Sequence, residues 1–195
     1  MATRYLKLLL LTLALPCMVA SSAFADTAYF AVSKGSHPHD VAAAQKVDGP
    51  IYFTAQKTGK LGILDPRSGK VEEIALGEDS APHGVIIGPD DAVWITDSGQ
   101  NAIVRFDPKK RVVRVWPLPK EAADANLNTL TFDLQGRLWF TGQSGFYGRL
   151  VPATDDMQVW KAPRGTGPYG IATTPAGEVD YASRAGNHSA HIDRE

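Results

Sequence analysis

Cysteine is almost absent: the chain has a single copy, Cys17. It falls inside an N-terminal stretch that reads as a removable export signal, so the mature protein is left with none. That excludes an intrachain disulfide and any cysteine-based zinc site. A bias of charge toward one sign is missing as well. The 20 Lys+Arg and 21 Asp+Glu give a formal net charge of −1. Without a basic stripe to neutralise phosphates, nucleic acid is excluded as a partner. The cluster Lys109-Lys110-Arg111 reads as a solvated turn between two strands. The apolar run Leu8–Leu15 is too short and too early for a membrane span.

That run is instead the middle of a signal peptide. Arg4 and Lys7 form a positive leader, and Ala23-Phe24-Ala25 is a small-residue cleavage site. A lipoprotein anchored through Cys17 is disfavoured, because Pro16 precedes the cysteine where a small residue belongs. The expected signal peptide is 1–25, which makes the protein periplasmic or secreted. The mature chain 26–195 then carries 18 Lys+Arg against 21 Asp+Glu. Its length is that of one domain, and a 44% apolar composition suffices for a core.

What the mature chain does have is a repeat. The stretch Ala81–Asp107, APHGVIIGPDDAVWITDSGQNAIVRFD, holds three short apolar runs, Val85–Ile87, Ala92–Ile95 and Ala102–Phe106. Gly88-Pro89-Asp90-Asp91 and Asp97-Ser98-Gly99-Gln100-Asn101 separate them. β-Branched and aromatic runs punctuated in this way predict an antiparallel meander. Tyr52 in IYFTA, Trp94 in VWITD, Trp139 in LWFTG and Asp180 in VDYAS follow one another at spacings of 42, 45 and 41 residues. A period in that range predicts an all-β fold, a β-propeller of four-stranded antiparallel blades. Four repeats are present, at about 37–77, 81–118, 126–162 and 167–195.

In each repeat an inner strand follows a polar step: His39-Asp40, His83-Gly84, Asn128-Thr129, Tyr169-Gly170. The second strand carries the aromatic residue, and the third runs toward Asp-Pro or a close variant. Outer strands Lys70–Ile74, Val112–Trp116 and Met157–Trp160 end the first three repeats. They put Ile74, Trp116 and Trp160 at one equivalent position, expected to pack between neighbouring sheets. The fourth repeat lacks an outer strand. Ala28–Val32, AYFAV, has strand composition and no place in the first repeat. It is therefore expected to complete the fourth sheet and cover its edge. Asp180 stands where other repeats place Trp or Tyr, and His191 where Arg105 and Arg149 stand. An Asp in a buried aromatic position is costly unless it is paired or wet.

His39, His83, Asn128 and Tyr169 hold the same position, just before each inner strand. In a propeller that position rings the mouth of the central channel. Four polar groups are thus expected to converge on one face, a setting for a small-molecule substrate or ligand; satisfying loop backbone groups is the alternative use for them. His37 is expected to be a solvated loop residue, because His37-Pro38-His39 has no carboxylate at a matching spacing. Asn101 and Asn187 precede third strands and read as turn residues tolerating left-handed geometry.

Three motifs together resemble the virginiamycin B lyase (streptogramin lyase) family. They are Pro82-His83-Gly84-Val85, Trp94-Ile95-Thr96-Asp97, and Gly99-Gln100-Asn101-Ala102-Ile103-Val104-Arg105. The resemblance covers about residues 33–193. It implies a seven-bladed propeller and a magnesium-dependent elimination that opens the ester ring of type B streptogramins. In that chemistry a neutral imidazole removes a Cα proton, and Mg²⁺ on hard oxygen ligands stabilises the developing charge. His83 matches the family's histidine-bearing motif and is the implied catalytic base. The family's metal carboxylate, a Glu, lies 14 residues further on, which puts Asp97 at the metal; His39, Asn128 and Tyr169, from their shared repeat position, are the expected substrate contacts. In the family that pair belongs to the last blade, whereas here it lies in the second of four repeats, as in a truncated relative.

A non-catalytic periplasmic propeller binding a small ligand or a protein partner is the alternative function. A lactone-hydrolysing propeller with channel calcium would need several acidic channel residues, and the aligned His, His, Asn and Tyr argue against it.

Overall fold

The computed structural model describes residues 27–193; the expected signal peptide lies outside them. Fifteen strands fall into four antiparallel sheets, each meandering in chain order. Blade 1 is β1 Pro38–Ala43, β2 Ile51–Ala55, β3 Lys60–Leu64 and β4 Val71–Ala75. Blade 2 is β5 Pro82–Ile87, β6 Val93–Asp97, β7 Ala102–Asp107 and β8 Val112–Pro117. Blade 3 is β9 Leu127–Phe132, β10 Leu138–Gly142, β11 Phe146–Val151 and β12 Asp156–Lys161. Blade 4 has three strands, β13 Pro168–Thr173, β14 Val179–Ser183 and β15 His188–Ile192. The inner strands pack in order, β1 on β5, β5 on β9 and β9 on β13. Among the described residues no helix is long and apolar enough to cross a membrane.

The turns obey the chemistry of their sequences. Asn101, Arg111 and Asn187 take positive φ values of 49°, 60° and 51°. Asn tolerates that geometry well. The aromatic of each second strand is buried: Tyr52, Trp94 and Trp139 are 4%, 1% and 2% exposed. Trp94 stacks on Trp116 of its own blade at 5.4 Å and meets Phe132 of blade 3 edge-on at 5.5 Å. Tyr147 of blade 3 stacks on Trp160 and on Tyr181 of blade 4. Ile74, Trp116 and Trp160 do pack between sheets, each against a cluster that reaches into the next blade. The Trp116 indole also donates to Asp155 of blade 3 at 2.9 Å. Each such ring buries enough apolar surface to contribute a few kcal/mol.

One expectation fails. Residues 27–37 form no strand, and Ala28–Val32 does not complete the fourth sheet. Phe30 and Val32 lie along the first blade, in a groove shared with Phe53, Leu64 and Val71. An apolar segment joined directly to β1 finds the nearest open sheet face, which is that of its own neighbour. Asp180 is paired, as its position requires: it accepts from His191 Nδ1 at 3.2 Å, with both side chains partly exposed.

Candidate functional site

The polar step of every repeat coincides with a register shift in the ladder. The shifts fall between Pro38 and Val41, Pro82 and Val85, Leu127 and Leu130, and Pro168 and Ile171. A bulge leaves residues unpaired and re-aims their side chains. His39, His83, Asn128 and Tyr169 all sit in these bulges.

A threonine on the second strand of each of the first three blades then fixes the bulge from both sides. Thr54 Oγ1 accepts Asp40 N–H at 3.0 Å and donates to the His83 carbonyl of blade 2 at 2.8 Å. Thr96 Oγ1 accepts Gly84 N–H at 2.9 Å and donates to the Asn128 carbonyl of blade 3. Thr141 Oγ1 accepts Thr129 N–H at 3.4 Å and donates to the Tyr169 carbonyl of blade 4. A buried second-strand hydroxyl at each of these three junctions therefore positions the next ring residue, and at the third Thr129 Oγ1 donates to the Tyr169 carbonyl as well. The fourth repeat has Ala182 at this place, which cannot make the bond. The threonines stand inside the quoted repeat motifs, yet nothing in a single sequence tells a strand threonine from a bridging one.

Three of the four ring side chains meet. The His39 and His83 rings lie 3.8 Å apart between centroids, tilted by 44°. Asn128 Nδ2 stands 3.3 Å from His83 Nε2. His83 is 8% exposed and Asn128 0%, while His39 is exposed. The Tyr169 carbonyl joins the network, but its ring lies beneath the Arg184 guanidinium at 5.6 Å. Burial, reinforced by the charge of neighbouring His39, pushes the His83 imidazole down to about 4 from its ordinary 6.5. The Asp40 charge and a hydrogen bond with the Asn128 backbone oppose that shift without reversing it. The ring is thus neutral at pH 7. His83 Nδ1 and Asn128 Oδ1 are buried without a hydrogen-bond partner.

Asp97 is used differently from the way the resemblance implies. Its Oδ1 accepts the N–H groups of Ala81, Gly99 and Gln100 at 2.9, 3.0 and 3.0 Å. Its Oδ2 accepts from Ser80 Oγ at 2.5 Å and Gln100 Nε2 at 2.9 Å. Five donors occupy the lone pairs of one buried carboxylate, which ties the loop before β5 to the turn after β6. A magnesium ion needs an oxygen with a free lone pair, and Asp97 has none to offer. Among the described residues, no group of three or more His, Cys, Asp or Glu is arranged to hold a metal. With both its oxygens engaged by donors, the carboxylate at the position the resemblance implies does not fit magnesium.

The Virginiamycin B lyase family profile matches residues 21–195. A streptogramin B lyase structure superposes with a TM-score of 0.73 at 25% identity, covering 82% of this chain and 52% of that one. A catalytically inactive virginiamycin B lyase from Staphylococcus aureus, solved with quinupristin, gives 0.73 at 26% identity, with 83% and 54% covered. A gluconolactonase from Zymomonas mobilis subsp. mobilis is 33% identical over 100 residues, 48% of this chain and 28% of that protein. The chain spans about half the length of the solved lyases it matches.

Proposed function

The chain belongs to the virginiamycin B lyase family, and on that footing we propose that it binds a small cyclic ester or depsipeptide at its channel face. His83 and Asn128 would make the polar contacts, with His39 beside them. The observation that carries this reading is the contact row itself: three bulge side chains from three successive blades, in touch with one another, two of them buried. Concavities with a few convergent polar groups are where small ligands bind. The export pattern of residues 1–25 supports an encounter outside the cytoplasm.

Elimination is the second reading, favoured by the family and by the neutral imidazole. Two features of His83 weigh against its being the base. A base works best with a pKa near the working pH, and His83 lies far below it. The Nε2 lone pair also faces the Asn128 amide. Asp97 cannot hold the metal, so we derive no metal-assisted step from it. The test is to titrate the purified protein with a type B streptogramin by calorimetry, with and without Mg²⁺, and to examine the mixture for a linear dehydro product. Saturable binding that weakens at least tenfold in His83→Ala, without product, is expected. Product formed by the wild type and not by His83→Ala would establish the second reading; no binding and no product would remove both.

A further inference from the structure

We propose that a second site lies between blades 1 and 2, at the end of β5 away from the bulges, and takes a small carboxylate through Tyr52 and Lys46. The site shares no residue with the channel face described above. In blades 2 and 3 the second-strand aromatic is a buried Trp whose indole N–H is satisfied within its own blade. Trp94 donates to Asp90 at 3.2 Å and Trp139 to Asp133 at 2.8 Å. Blade 1 has Tyr52 at this position, 4% exposed. Asp48 stands four residues before it, as Asp90 stands before Trp94, yet Asp48 is exposed and makes no bond to the phenol. The Tyr52 hydroxyl has no hydrogen-bond partner among the described residues. A buried tyrosine hydroxyl ordinarily finds one, and its lack asks for an explanation.

Tyr52 lines a cavity of about 380 Å³ bordered by the β1–β2, β5–β6 and β7–β8 loops, a volume in the range of small-ligand pockets. The β1–β2 loop is tied across to blade 2, where Gln45 Nε2 donates to the Gly88 carbonyl at 3.0 Å. Most of the charged lining is already paired. Asp90 and Asp107 each meet Arg105, at 2.7 and 3.7 Å, and accept backbone N–H groups besides. Asp91 faces Lys109 at 3.9 Å. The Lys46 ammonium lines the same cavity and has no ion pair or hydrogen bond among the described residues. Burial pushes the Tyr52 phenol above its ordinary 10, with Arg111 opposing and Asp91 adding, so the hydroxyl keeps its proton at pH 7. One cavity therefore presents two donors, a hydroxyl and an ammonium, that lack acceptors. A carboxylate accepts from both and compensates the unpaired charge. Ala44, Ile87 and Pro108 offer apolar wall to a short aliphatic tail. A primary amine would set its own charge against Lys46, and an alcohol would leave that charge uncompensated.

The test is an NMR titration of the wild-type protein at pH 7 and constant ionic strength with sodium butyrate and, separately, with butylamine hydrochloride and 1-butanol. Butyrate should shift the Tyr52 ring and Lys46 side-chain resonances saturably, with the other two probes at least tenfold weaker. Tyr52→Phe and Lys46→Gln should each weaken butyrate at least tenfold. Tyr52→Phe keeps the ring in the core, and with no internal bond to lose its urea midpoint should hardly move. No saturable shift with butyrate, an equal response to butylamine or butanol, or undiminished binding in either variant would overturn the proposal. A marked loss of stability in Tyr52→Phe would overturn it too, by showing that the hydroxyl is already bonded within the protein. Streptogramin binding at the channel face is followed on the His83 ring, so either site can fail while the other stands.

Discussion

Thr96 donates its hydroxyl proton to the backbone oxygen of Asn128 in the next blade while accepting the amide proton of Gly84 in its own. Blade packing and ring-residue position are therefore set by the same atom. Replacing Thr96 by Val keeps the shape and leaves two buried partners unsatisfied. Thr96→Val should cost about 2–3 kcal/mol, measured by urea unfolding, and should perturb the Asn128 side-chain resonances. Thr96→Ser should restore most of both.

Gly84 is required by the same close approach. A Cβ there would stand 2.5 Å from the Asn128 backbone oxygen and 3.0 Å from Thr96 Oγ1. The equivalent Gly170 has nothing within 4 Å of that point. Gly84→Ala should destabilise by about 1–3 kcal/mol, the range for forced overpacking, whereas Gly170→Ala should change the urea midpoint little. Equal effects at the two positions would contradict the close-packing account of the motif.

Asp97 is a buried anchor with five donors directed at it. Asp97→Ala should lower stability by several kcal/mol, because it strands buried N–H groups. The loss should be the same in EDTA and in millimolar Mg²⁺. A thermal midpoint of the wild type that rises with Mg²⁺, and fails to do so in Asp97→Ala, would instead give this carboxylate to a metal.

The sequence carried the fold to the level of strands and blades, because period and turn chemistry are local. Trp94 and Trp139 announce their blades, and Gly88-Pro89-Asp90-Asp91 announces its turn. The site was half legible. His39, His83 and Asn128 share a repeat position, which predicts a ring, but bulge geometry and side-chain direction decide which of them touch. Tyr169 has the same position and turns its ring to Arg184. Asp97 shows the limit of spacing: a distance of 14 residues matches a metal carboxylate, and Asp-Ser-Gly matches a turn, with only the donors around it to separate them. Ala28–Val32 failed for a similar reason. Strand composition does not say which open edge or face a segment will cover.

Acidification should expose His83 as a stability determinant. Its folded pKa is depressed to about 4 from 6.5, so between those values the unfolded chain binds the proton and the folded one does not. Stability therefore falls as pH drops through that window and is unaffected by this group above it, the full loss being about 3 kcal/mol. In His83→Gln the slope of unfolding free energy between pH 6.5 and 4 should flatten.

The central claim is that His83 is a neutral ring turned to Asn128 rather than a free base, and a long-range ¹H–¹⁵N correlation of its ring, followed with pH, tests it most directly. The account predicts no protonation until the pH approaches about 4. A ring that titrates near 6.5, its ordinary value, would contradict it.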